Sequence, residues 1–64
     1  MNAYDELLCA IMRANTITEL TDIAEKIGEH LSAGKITGTQ FALLRRSITV
    51  REDAIVELAT LAIA

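Results

Sequence analysis

Apolar residues recur along the chain at helical spacing, three and four apart. Tyr4, Leu7, Leu8 and Ile11 share one face of a helix predicted over about Ala3–Ala14. Asn2 is placed to cap it, and Asp5 sits in the first turn, where the helix dipole favours a negative charge. A second helix is predicted over about Ile17–Ala33. Ile17, Leu20, Ile23, Ala24, Ile27 and Leu31 gather on one side, and Thr18, Asp22, Glu25, Lys26 and Glu29 opposite. Thr16 and Glu19 have the spacing of a capping box, in which each side chain satisfies a free backbone N–H. Gly28 lies inside this helix, where a close helix crossing would account for it. Gly34 is the expected left-handed stop.

A third helix starts after Thr37. Thr37 and Gln40 form another capping box, and Ile36 and Phe41 occupy the positions of a hydrophobic staple. Phe41, Leu44 and Ile48 face inward, while Leu43 points away, near Thr39 and Arg46. The β-branched run Ile48-Thr49-Val50 and a third capping box, Thr49 with Glu52, predict a break and a fourth helix; one continuous helix is the other option. In that last segment Asp53, Glu57 and Thr60 make a narrow polar stripe. Ile55, Val56, Leu58, Ala59, Leu61, Ala62 and Ile63 cover most of the remaining circumference. A surface helix needs an apolar stripe of only about 100°, so this segment is either central to the domain or covered by another chain.

The expected fold is therefore all-α: a compact bundle of three or four short helices forming a single domain over 1–64, expected to be dimeric. Its expected core is Leu20, Ile23, Ile27, Leu31, Phe41, Leu44, Ile55 and Leu58, with the second and fourth helices at the centre. Composition narrows the class. With 64 residues, 52% of them apolar, and a net charge of −3, the chain is too short for two domains and too apolar for disorder. Cys9 has no partner for a disulfide. No basic, apolar leader opens the sequence, and the apolar run from Ile55 is about half the roughly 20 residues a membrane span requires. The expectation is a soluble cytoplasmic protein with no membrane partner.

Charge is segregated. Residues 1–30 carry six acids and two bases; residues 31–51 carry Lys35, Arg45, Arg46, Arg51 and no acid; residues 52–64 add three acids. Such blocks steer charged partners or are solvated faces that balance within the fold. Catalytic constellations are poor. His30 is the sole histidine, and the wheels place Cys9 off the apolar face of its helix and His30 on the flank of the next. No phosphate loop or metal-ligand spacing is present, so no enzyme activity, cofactor or metal is expected.

The segment Leu20–Gly28 resembles the first helix of a helix-turn-helix. The resemblance covers nine residues and stops where Glu29-His30-Leu31-Ser32 continue the helix. It implies a DNA-binding regulator using the basic segment 35–51, with Lys35, Thr39, Arg45 and Arg46 toward nucleic acid or an acidic partner. The acids of the second helix would repel phosphates in such a docking. The leading expectation is a small non-enzymatic protein–protein interaction module, a regulator or inhibitor that binds a larger macromolecule. Small size, a self-contained helical fold and segregated charge are common in such proteins of phages and mobile elements. The expected surfaces are an acidic partner face of Asp22, Glu25 and Glu29, and a homodimer seam of Ile55, Ala59, Ala62 and Ile63. A third reading is a structural subunit of a larger assembly, with the last helix covered by a different protein.

Overall fold

The computed structural model describes the backbone of residues 2–63 and the side chains of residues 2–62. They form three helices: α1 (Ala3–Arg13), α2 (Ile17–Ser32) and α3 (Gly38–Ile63). Each packs against the other two, so the described chain is an all-helical bundle.

The helix starts follow from capping. Asn2 accepts a hydrogen bond from the Asp5 N–H at 2.8 Å. Thr16 Oγ1 accepts from the Glu19 N–H at 3.1 Å, and Glu19 Oε2 accepts from the Asn15 N–H at 3.0 Å. The glutamate thus reaches the residue before the cap, which fixes the α1–α2 turn as well as the start of α2. Before α3 the box is reciprocal: Thr37 Oγ1 accepts from the Gln40 N–H at 3.1 Å, and Gln40 Oε1 from the Thr37 N–H at 3.0 Å. At the end of α2 the Lys35 N–H bonds the His30 carbonyl and the Gly34 N–H the Leu31 carbonyl. This is the Schellman pattern. Gly34 adopts φ +75° to make it, a conformation that disfavours any side chain with a Cβ.

The predicted break at Thr49 is absent. α3 runs for 26 residues without interruption, so the third and fourth predicted helices are one. The third capping box does not form: Thr49 Oγ1 donates to the Arg45 carbonyl at 3.2 Å, as Ser47 Oγ does to the Leu43 carbonyl at 3.1 Å. Both hydroxyls are satisfied inside the helix. The propensity cost of a β-branched residue is only a few tenths of a kcal/mol. Leu44 and Ile48 are buried on the core face of this stretch, with Ile55 packed beside them, and that burial outweighs it.

The core follows from this change. Leu7, Ile11, Ala14, Leu20, Ile23, Ile27, Ile36, Leu44 and Ile48 are buried. Leu31, Phe41 and Ile55 are half-buried against them. Leu58, expected in the core, is 64% exposed, because a continuous α3 carries it away from the bundle instead of folding it back over α2. The centre is α1, α2 and the first half of α3, not the pairing of the second and fourth predicted helices. One long-range bond closes the bundle: Arg51 Nε donates to the Ala14 carbonyl at 3.0 Å, placing a cation at the C-terminal end of α1, where the dipole is negative.

Gly28 needs no close crossing. A Cβ built there meets nothing within 4 Å. Gly28→Ala is therefore expected to stabilise the fold by about 0.5–1 kcal/mol through helix propensity, read as a higher urea midpoint. A lower midpoint would mean that α2 is packed more closely there than the structure has it.

Candidate functional site

A helix of 26 residues is about 39 Å long and one of 16 residues about 24 Å, so α3 outreaches its neighbours. The molecule accordingly measures 44 × 18 × 16 Å. Ile55 is the last residue of α3 to pack against the core. Every residue from Val56 to Ala62 is exposed, nearly two turns of helix, with Leu58 and Ala59 bordering Asn15 across an open groove. Val56, Leu58 and Leu61 are 53%, 64% and 65% exposed. An isolated helix of this kind gains no tertiary stabilisation, and its apolar side chains remain in water.

A second apolar surface lies between α1 and α3. Tyr4, Leu8 and Met12 stand four residues apart along one edge of α1 and face Leu43, Val50 and Ala54 of α3 across an open groove of about 540 Å³. Arg46, Ser47 and Arg51 complete its lining, with no acid among the lining residues. Met12, Leu43 and Val50 are all large, apolar and substantially exposed. α3 thus carries two apolar stripes, one toward the core through Leu44 and Ile48 and one toward the groove. Sequence reasoning noticed Leu43 off the core face but missed the groove. The signal was the coincidence of three off-face apolar residues, Met12, Leu43 and Val50, on two adjacent helices.

The expected site residues are distributed as follows. Asp22, Glu25 and Glu29 are exposed on α2, at the three- and four-residue spacing that holds them on one face. Lys35 lies in the α2–α3 turn, and Thr39, Arg45 and Arg46 are exposed on α3. Arg45 and Arg46 border different grooves: Arg45 lies with Thr21, Ala24 and Glu52 on the α2 side, Arg46 with Leu43 and Val50 on the α1 side. Thr37 and Gln40 are engaged in the cap, and Arg51 holds the end of α1. Of the residues given to a dimer seam, Ile55 packs on its own core, Ala59 and Ala62 are exposed, and the Ile63 side chain lies outside the described residues.

Cys9 is exposed. His30 is half-buried on α2, with Nδ1 donating to the Lys26 carbonyl at 2.7 Å. Among the described residues no group of three or more His, Cys, Asp or Glu side chains is placed to hold a metal ion. No helix among them is long and apolar enough to cross a membrane. Comparison with known protein families, curated proteins and solved structures gives no match to this chain.

Proposed function

We propose that the protein is a non-enzymatic protein–protein interaction module, a small regulator or inhibitor that works by binding a larger macromolecule and self-associates through α3. The observation that carries this reading is the overhang: a helical segment on which Val56, Leu58 and Leu61 are each more than half exposed. A chain this small has little stability to spare, and a surface of this kind gains by being covered.

The partner-binding face in this reading is the exposed acidic surface of α2, formed by Asp22, Glu25 and Glu29. It suits a basic surface on the partner, including one that otherwise holds nucleic acid. The DNA-binding alternative draws less support from the geometry. Gln40, a polar residue in the first turn of its reading helix, is tied up in the cap with Thr37. Because α3 is continuous, the acids Glu52, Asp53 and Glu57 share one rod with Arg45 and Arg46, which weakens any field attractive to phosphates.

Affinity capture from the native host, with nuclease treatment, tests the choice. The interaction-module reading expects a nuclease-resistant protein partner, lost when Asp22, Glu25 and Glu29 are all changed to Lys and retained when Arg45 and Arg46 are changed to Glu. The reverse pattern, with nuclease-sensitive capture of nucleic acid, would establish the DNA-binding alternative instead.

A further inference from the structure

We infer that the groove between α1 and α3 is filled by α3 of a second copy of this chain, laid antiparallel across a twofold axis that passes near residue 52. The inference rests on the proposed interaction-module reading and specifies which surface self-associates.

Positions 43, 47, 50, 54, 57 and 61 of α3 advance by alternate steps of four and three. That is heptad spacing, which keeps one line of side chains facing a neighbouring helix. The residues are Leu43, Ser47, Val50, Ala54, Glu57 and Leu61. Leu43, Ser47, Val50 and Ala54 line the groove, and Leu61 continues the same line onto the overhang. The alternating steps read the same in both directions. An antiparallel copy therefore brings Leu43 opposite the partner's Leu61, Val50 opposite the partner's Ala54, and Ser47 opposite the partner's Glu57.

Three observations choose a second copy as the occupant. Groove and overhang lie on one face of one helix, so a single twofold contact covers both surfaces in both copies and leaves neither open for further addition. The charges are complementary: the groove lining holds Arg46 and Arg51 and no acid, and the helix that enters it brings Glu57 to the level of Arg46. The area is also sufficient. Met12, Leu43, Val50, Leu58 and Leu61 are each about half to two-thirds exposed. Covering them in two copies removes on the order of 1,000 Å² from water, where specific interfaces begin. Leu58 lies about 60° round the helix from Leu61, at 100° per residue, on the side that reaches the partner's α1 wall at Tyr4 and Leu8.

This seam differs from a stripe of Ile55, Ala59 and Ala62. Ile55 is engaged by its own core, and the alanines offer little area.

Sedimentation equilibrium from 10 µM to 1 mM, with helicity followed by circular dichroism, tests the inference. The wild-type chain is expected to be a dimer. Leu61→Glu, at a side chain that is 65% exposed and outside the core cluster, is expected to weaken the dimer at least tenfold with monomer helicity preserved. Ala59→Glu is expected to change it less than threefold. An equimolar mixture of Leu43→Lys and Leu61→Glu chains is expected to recover association, because the antiparallel register sets the new lysine opposite the new glutamate. A wild-type chain monomeric to 1 mM would overturn the inference while leaving capture of a different protein by the acidic face intact. A dimer that resists Leu61→Glu but is lost with Ala59→Glu would also overturn it, in favour of the alanine stripe.

Discussion

Ile27→Ala is expected to remove most of the stability of the monomer fold. Ile27 is fully buried at the centre of α2, the helix whose apolar face packs on both α1 and α3. Truncating a buried isoleucine to alanine costs about 2–5 kcal/mol, because the cavity left behind relaxes only in part. A 64-residue domain has a total of roughly 3–5 kcal/mol to lose. The expected result is a chain largely unfolded at 37 °C, read as a collapse of the helical signal or a urea midpoint near zero. Val56→Ala serves as the control. It removes two methyls from a side chain that is 53% exposed and should shift stability by less than about 0.5 kcal/mol. Because a self-associating chain gains stability with concentration, both variants are compared with wild type at one protein concentration. A loss below about 1 kcal/mol for Ile27→Ala would mean that α2 does not sit between the other two helices as described.

The parts of this fold that were legible in the sequence are those set by local chemistry. Asn2, Thr16 and Thr37 each cap a helix because a short side chain with an oxygen stands before a helical run, with a free N–H three residues on. Gly34 ends α2 because the left-handed turn there excludes a Cβ. Leu20, Ile23, Ile27 and Leu44 are buried because helical periodicity puts them on the face that meets other helices. What was not legible depended on tertiary context. Thr49 with Glu52 has the same local spelling as the two boxes that form. No residue near it differs in kind from Thr16 with Glu19. The difference lies in Ile48 and Ile55, packed on the core on either side of the would-be break, which hold the backbone helical through it. Leu58 then follows the helix away from the bundle. The same ambiguity hid the groove. A wheel drawn for residues 50–63 alone shows an apolar excess without saying which part of it faces a neighbour. Joined to residues 38–49, that excess separates into a core stripe and a groove stripe. The acidic face of α2 was readable because its exposure needs only that the opposite face be buried.

Helix continuity therefore decides where the interaction surface lies, and a pair of proline substitutions measures it. If a helix began after Thr49, Val50 would be its first residue, a position where proline is favoured. In the continuous α3, proline at 50 removes the N–H that bonds the carbonyl of Arg46 and sets its ring against that carbonyl, a loss of about 3 kcal/mol or more. Val50 is 64% exposed in the single chain, so little of the loss comes from packing within the bundle, and both variants are titrated at a concentration low enough to keep the chain monomeric. Gly38→Pro provides the matched comparison at the true first residue of α3. Gly38 has no positive φ, a Cβ there meets nothing within 4 Å, and Thr37 caps the helix in front of it. Gly38→Pro is expected to leave stability unchanged or to raise it by a few tenths of a kcal/mol, while Val50→Pro brings the fold to the edge of unfolding. Urea titrations giving the two variants equal midpoints would place a helix start at residue 50. The overhang would then no longer be a rigid continuation of the core, and the groove stripe would lose the heptad register that links Leu43 to Leu61.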